Sequence, residues 1–203
     1  MQKKVAAIHD TSCFGKCSLT VALPIISAAG IECAGIPTAV LSTHTGGFSG
    51  YTFRDLTDDM PAIQAHWQKE NIKFKAIYTG YLGSFEQIGM VKDIFNRFGE
   101  GCIKFVDPVM GDDGVLYATY SPELADGMRE LSTHAEVLTP NLTEACFLTG
   151  TPYIDTATLS EKEAEAFVLS LLEKLSNICH GKIVVTGIGL VGGIVAYAGR
   201  DED

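Results

Sequence analysis

The chain has 203 residues, 46% hydrophobic and 20% charged, with a formal net charge of −10 and a pI near 4.9. That length supports a sizeable core and favours one domain, residues 1–203, while the composition excludes disorder as the main state. The acidic balance argues against a nucleic-acid partner, which needs clustered Lys and Arg, so any phosphate must be held at a local site.

The opening, Met1-Gln2-Lys3-Lys4-Val5-Ala6-Ala7-Ile8, has two lysines before an apolar run too short for a signal peptide. No stretch approaches the ~20 apolar residues of a membrane span. The expectation is a soluble cytoplasmic protein with no membrane partner. Cys13, Cys17, Cys33, Cys102, Cys146 and Cys179 are scattered, without a C-x-x-C pair, and read as small buried hydrophobes in a reducing compartment.

Strand and helix signals then alternate. Residues 5–8 read as a strand, and Ser18 caps a helix over 19–29 that Gly30 closes. Residues 31–37 are extended, and 38–54, polar and glycine-rich, read as a mobile loop near a ligand. Thr57 or Asp58 caps a helix from near Pro61, with Ile63, His66 and Trp67 on one side. A strand over 75–79 runs into Gly80-Tyr81-Leu82-Gly83-Ser84, and Ser84 with Glu86-Gln87 starts an amphipathic helix to about Phe98.

The short apolar run 103–106 reads as a parallel strand buried on both faces, ending in Asp107-Pro108-Val109-Met110-Gly111-Asp112-Asp113-Gly114. Ser121-Pro122-Glu123 starts a helix to about Leu131, and 136–139 is a strand. Asn141-Leu142-Thr143-Glu144 caps a short helix ended by Gly150, and Ser160-Glu161-Lys162-Glu163 is a capping box for a long helix to about Cys179. Residues 182–186 and 193–198 are further strands. The alternation predicts an α/β fold, a three-layer α/β/α sandwich on a mostly parallel sheet. A last parallel strand with no covering helix predicts that this fold is C-terminally incomplete.

Three strand ends carry matching polar groups: Asp107 with Asp112 and Asp113, Asn141 with Glu144, and Thr186 before Gly187. Ligands of open α/β sheets bind outside the carboxyl ends of the strands, so neighbouring strands would turn all three sets to one edge. Carboxylates with an amide form an oxygen-only set suited to Mg²⁺ held through water and phosphates. Thr139, Asn141 and the helix start could also meet a phosphate through backbone N–H groups. The plainer alternatives are a solvated Asp-Gly turn at 112–114 and an ordinary N-cap at Asn141 with Glu144 as its partner.

Leu41-Ser42-Thr43-His44-Thr45, Gly80-Tyr81-Leu82-Gly83-Ser84, Asp107-Pro108-Val109-Met110-Gly111-Asp112 and Thr139-Pro140-Asn141-Leu142-Thr143-Glu144, in this order, resemble the pyridoxal/pyridoxamine (vitamin B6) kinases of the ribokinase-like superfamily. The likeness is greatest to the Gram-positive bacterial pyridoxamine kinase type. The resemblance implies ATP-dependent phosphorylation of the 5′-hydroxymethyl group of pyridoxal, pyridoxamine or pyridoxine, with ATP and Mg²⁺ as cofactors and a homodimer as the assembly. It places Asp107 and Glu144 in the metal and phosphate network with Asn141 beside them, and Thr139 and Thr186 against the nucleotide. On the vitamin side, Asp10 stands where many relatives have a serine that bonds the ring; an acid could hold a protonated ring nitrogen or a 4-aminomethyl group. Thr45 would bond the ring or its hydroxyl, Tyr81 would pack on its face, and His44 adjoins Thr45. Without the resemblance, Tyr81 reads as a half-buried aromatic and His44 as an ordinary loop histidine.

Relatives continue into a Gly-[Thr/Ser]-Gly-Asp motif, whose aspartate is the base for the attacking hydroxyl and whose N–H groups form the anion hole. Here Thr186-Gly187-Ile188-Gly189 has glycines but no aspartate, and neither Asp201 nor Asp203 follows the required glycines. The expectation is that the base lies beyond residue 203 and that the chain by itself turns over little. Two alternatives stand beside this one: a non-catalytic vitamin-binding protein, and a hydroxymethylpyrimidine kinase. The latter usually opens on a serine- and glycine-rich segment, unlike Asp10-Thr11-Ser12-Cys13-Phe14-Gly15-Lys16, and Tyr81 also favours the B6 side. No G-x-G-x-x-G follows a strand, which argues against a dinucleotide-binding dehydrogenase.

Overall fold

A computed structural model describes residues 2–190 and 193–199, the last segment as backbone. Asp201 and Asp203 lie outside the described residues. The chain gathers into two compact units, one through Lys104 and one from Phe105.

In the first unit, β1 (Lys4–Ser12), β2 (Glu32–Leu41), β3 (Phe53–Asp55) and β4 (Ala76–Thr79) lie in the order β4-β1-β2-β3. β1 runs parallel to both β2 and β4, and β3 is antiparallel to β2. Ala6, Ala7 and Ile8 in the middle of β1 are fully buried, as a strand covered on both faces requires. The register of β1 on β2 slips between His9 and Thr11, from His9↔Pro37 to Thr11↔Val40. β2 thus carries one extra residue at 38–39 opposite Asp10, a bulge of the kind that re-aims side chains at the end of a sheet.

α1 (Leu19–Ala28) ends at Gly30, whose φ of 76° is the left-handed close expected of that glycine. Its expected cap is absent: Ser18 has φ 53°, outside the extended region a cap adopts, and makes no side-chain cap bond, its hydroxyl donating to Asp10. The 38–54 loop is shorter than expected, since β2 runs to Leu41 and β3 starts at Phe53. α2 (Met60–Lys69) follows a single tight turn, Thr57–Asp59, whose first N–H is accepted by Asp55 Oδ1. Its inward face is Met60 and Gln64 with half-buried Ile63 and Trp67, whereas His66 faces solvent. α3 (Phe85–Phe98) is capped by Ser84 as expected, and Ile88, Val91, Ile94, Phe95 and Phe98 recur at helical spacing on its buried face. Each such side chain contributes roughly 1.5–3 kcal/mol by leaving water.

In the second unit, β5 (Ile103–Val106), β8 (Val137–Leu138), β9 (Lys182–Leu190) and β10 (Gly193–Gly199) lie in the order β10-β9-β8-β5. β5, β8 and β9 are parallel. β10 departs from the expectation of a parallel strand: it returns antiparallel along β9, Gly193 opposite Leu190 and Gly199 opposite Ile183. β9 is longer than 182–186 for the same reason, since its second half has β10 as a hairpin partner. Between β5 and β8, β6 (Gly111–Asp112) and β7 (Val115–Leu116) form a small hairpin whose turn residues Asp113 and Gly114 have φ 49° and 80°. Positive φ at both positions is what a two-residue hairpin turn demands, so the Asp-Gly turn weighed above is real.

α4 (Pro122–Ser132) has Ser121 as cap, accepting the Leu124 N–H, and Pro122 in the first turn. α5 (Leu142–Thr149) has the full Asn141/Glu144 capping box and closes on Gly150 at φ 65°. α6 (Glu161–Leu175) has the Ser160/Glu163 box, but stops short of Cys179. Ser176 Oγ and Asn177 Nδ2 both donate to the Glu173 carbonyl, and such local bonds compete with the next helical turn. Val168, Leu171 and Leu175 from α6 are buried, as are Ile183 and Val185 of β9. Among the described residues no helix is long and apolar enough to cross a membrane.

Candidate functional site

Two groups of polar residues, one in each unit, sit at the carboxyl ends of parallel strands. In the second unit, Asp107 follows β5, Thr139 and Asn141 follow β8, and Thr186 lies on β9. Their alignment is set by backbone bonds: the Thr139 N–H reaches the Val106 carbonyl (3.1 Å), the Thr186 N–H reaches the Pro140 carbonyl (2.9 Å), and Asn141 bridges Thr186 in parallel register. Thr186 is mid-strand rather than at a strand end, yet it is the last position at which β9 has a partner on the β8 side. Gly187, next to it, takes φ 69°, which favours glycine.

Glu144 is the centre of this half. It is 3% exposed, and its carboxylate accepts the Asn141 N–H at Oε2 (2.7 Å) and the Met110 N–H at Oε1 (3.2 Å). Asn141 returns the bond by accepting the Glu144 N–H (2.8 Å) and donates its amide to the Gly111 carbonyl (2.9 Å). Thr143 Oγ1 accepts the Gly114 N–H (2.9 Å). Side chains of the first turn of α5 therefore hold the 107–114 loop in place. Burial pushes the Glu144 carboxyl well above the usual range, and the nearby Asp107 carboxylate pushes it further. Tyr117, which the sequence did not single out, is raised to about 12, first by burial and then by Glu144, Asp112, Asp107 and Asp113. It stays a phenol at ordinary pH, beside the acidic loop.

Among the described residues no three or more His, Cys, Asp or Glu are grouped to hold a metal ion. Both Glu144 oxygens already serve backbone N–H groups. The donor set therefore fits a cation carried largely by water and phosphate oxygens, with Asp107 as the half-buried carboxylate at the strand end, rather than a cage built wholly from protein ligands.

In the first unit, Asp10 at the end of β1 is 7% exposed. It accepts the Ser18 hydroxyl at Oδ1 (2.5 Å) and the Ser12 hydroxyl at Oδ2 (3.4 Å). Neither serine carries a site signal in the sequence: Ser12 is two residues from Asp10 on β1, and Ser18 reaches Asp10 across the turn between β1 and α1. Thr45 lies exposed in the 42–52 loop after β2. That loop is stitched to the segment after β1 by Cys13 N–H to Leu41 O, Phe14 N–H to Ser42 O and His44 N–H to Phe14 O. His44 meets Phe48 edge-on at 5.0 Å, and Phe48 meets Phe14 at 6.0 Å, making an aromatic rim. Tyr81, half-buried after β4, turns its ring over Gly83, where an added Cβ would come within 3.3 Å of the phenol oxygen. Asp10, Thr45 and Tyr81 thus stand at the ends of three neighbouring strands. Gly80 begins the last of these loops because a side chain there would overlap the buried His9 ring.

A "Pyridoxine/pyridoxal/pyridoxamine kinase" of Bordetella avium is 34% identical over 161 residues, covering 72% of this chain and 51% of that protein. A "Hydroxymethylpyrimidine/phosphomethylpyrimidine kinase" of Rhizobium meliloti is 29% identical over 159 residues, covering 76% and 56%. This chain spans about half the length of these curated relatives. A protein of Bacteroides thetaiotaomicron assigned to the phosphomethylpyrimidine kinases, in a crystal form with pyridoxal, superposes with a TM-score of 0.83 and 41% identity, covering 98% of this chain and 68% of that one. The α/β fold with its mostly parallel central sheet is shared with these structures. The sequence pattern of the phosphomethylpyrimidine kinase family runs through residues 22–192, across α1, the 80–84 loop, Asp107, the Asn141/Glu144 box and Thr186. A chain matched over that span, with those strand ends aligned, belongs to the phosphomethylpyrimidine kinase family.

Proposed function

We propose that this chain forms the vitamin-binding and much of the nucleotide-binding part of an ATP-dependent kinase acting on the 5′-hydroxymethyl group of a B6 vitamer. The observation that carries the reading is the parallel alignment of Asp107 and the Asn141/Glu144 box, at the ends of β5 and β8, with Thr186, where the pairing of β9 with the β8 side stops. Phosphoryl transfer depends on positioning and charge stabilisation, which is what such an edge supplies. Thr139, Asn141 and Thr186 would face the nucleotide; Asp107, with Glu144 behind it, would hold Mg²⁺ through water and phosphate oxygens. Mg²⁺ would neutralise charge on the transferring group.

On the acceptor side, Asp10 would take a protonated ring nitrogen or a 4-amino group, since an acid that already accepts two hydroxyls still has lone pairs to offer. Thr45 would bond the ring hydroxyl and Tyr81 would cover its face. The pyridoxal held by the Bacteroides protein supports this choice of ligand. The Rhizobium relative supports a second reading, a hydroxymethylpyrimidine kinase. Cytoplasmic residence and a homodimer belong to the same proposal, and sedimentation would read the latter.

Calorimetric titration of the folded protein with pyridoxal, pyridoxamine and hydroxymethylpyrimidine tests the choice. The B6 vitamers should bind more tightly; the reverse order would replace this reading with the pyrimidine one, and binding of none would remove both. In an Mg·ATP assay we expect little turnover from the 203-residue chain. Turnover at the rate of its relatives would mean that the base is not the aspartate of a Gly-[Thr/Ser]-Gly-Asp motif.

A further inference from the structure

Gln87 is a buried amide beside the 80–84 loop with both side-chain polar atoms committed, and three of its side-chain partners come from β2, β3 and the turn before α2. It is 1% exposed. Its Oε1 accepts the Gly83 N–H at 2.8 Å. Its Nε2 donates to the Thr38 carbonyl at 3.1 Å and to Thr57 Oγ1 at 2.9 Å, with Asp55 Oδ2 further off at 3.4 Å. Thr38 in turn donates its hydroxyl to the Tyr81 carbonyl at 3.1 Å. Thr38 sits in the β2 bulge, and its carbonyl accepts the Leu56 N–H (3.0 Å) as well as the Gln87 amide.

We propose that Gln87 and Thr38 act as a two-point clamp that positions Tyr81 for the acceptor ring. The inference rests on the vitamin-binding reading given above. Both ends of the Tyr81-Leu82-Gly83 peptide are fixed from outside the loop: the Tyr81 carbonyl by Thr38, the Gly83 N–H by Gln87. The Tyr81 ring lies against Gly83, so a shift of Gly83 moves the ring. Gln87 is a positioning residue, with no atom assigned to the substrate, and its reach to Thr57 and Thr38 couples the loop to β2 and to the turn before α2. A wall held this way is pre-organised, and a ring ligand then loses less freedom on ordering it. Glutamate would not replace glutamine, because a carboxylate cannot donate to the Thr38 carbonyl and would face Asp55.

The test uses Gln87→Met, which keeps length and removes all the bonds, and Thr38→Val, which removes only the tie to Tyr81. Pyridoxal and ADP affinities are measured on each folded variant and on the wild type. We expect the pyridoxal dissociation constant to rise about tenfold in each, the scale of one lost buried hydrogen bond, with ADP affinity within about twofold. Unchanged pyridoxal affinity in folded variants overturns the clamp while leaving the vitamin reading intact. A parallel loss of ADP affinity also overturns it, since that marks general loosening. A wild type that binds no pyridoxal removes the vitamin reading itself. Should Gln87→Met not fold, Thr38→Val decides on the same criteria.

Discussion

His9 is a buried imidazole held neutral by its surroundings. It is 3% exposed, meets Tyr78 edge-on at 4.3 Å, and its Nε2 has no hydrogen-bond partner. Burial lowers its pKa to about 4 from an ordinary 6.5. Between those values the unfolded chain takes up a proton that the folded protein refuses, so stability rises with pH through this window. The contribution is complete above 6.5 and falls by at most roughly 3 kcal/mol as pH drops to 4. Urea midpoints measured between pH 7 and 4.5 should therefore fall less steeply in His9→Gln than in the wild type; parallel slopes would show that His9 is not the group responsible. None of this was legible beforehand. Histidine in a strand next to Asp10 looks like a site residue, and only the contact with Gly80 shows that it is packed behind the site instead. Asp10, Tyr81 and Glu144 were legible as candidates because motif and strand end coincide. Ser18, Thr38 and Gln87 were not, because each meets its partners through a bulge or a loop closure that no local pattern records, while Ser12, two residues from Asp10 on β1, belongs to none of the motifs.

Helix starts behaved as their sequences indicate at α3, α4, α5 and α6, whereas α2 has Asp59 at its start, without a side-chain cap bond, instead of Thr57 or Asp58. Ser84, Ser121, Asn141 and Ser160 all accept the expected N–H. Ser18 does not, because its φ of 53° is not the extended backbone of a cap and its hydroxyl is turned to the Asp10 carboxylate. The two kinds of serine should separate on substitution. Ser121→Ala removes a cap from α4 and should cost about 1 kcal/mol of stability without changing pyridoxal affinity. Ser18→Ala removes a donor from Asp10, and its main effect should be on pyridoxal affinity. Chemical denaturation paired with titration reads both, and an equal pyridoxal response in the two variants would contradict the assignment of Ser18 to Asp10. Strand ends were the least legible elements: β9 gained its second half, and β10 its direction, from pairing that depends on the partner strand rather than on the residues themselves.

Charge is distributed unevenly along the molecule. Residues 105–203 contain 16 of the 25 acidic residues but 5 of the 15 basic ones, a net −11 against +1 for residues 1–104, so the negative charge belongs to the second unit. Asp107, Asp112, Asp113 and Glu144 add a local negative field where a polyphosphate would have to sit. Free ATP is itself an anion and would be repelled, while two like charges a few ångströms apart cost on the order of 1–4 kcal/mol near a protein surface. A divalent cation between them would reverse the sign of that interaction, and in the proposed function Asp107 is the carboxylate that would share it. Chelating Mg²⁺ should therefore weaken ATP binding at least about tenfold, and raising monovalent salt should recover part of the loss by screening. Asp107→Asn should lower the Mg²⁺ dependence, bringing affinities with and without the ion closer together. Titrations of ATP with Mg²⁺ and with chelator, at two salt concentrations, separate the outcomes: ATP affinity indifferent to Mg²⁺ would place the nucleotide away from the Asp107 edge, whatever the activity of the protein.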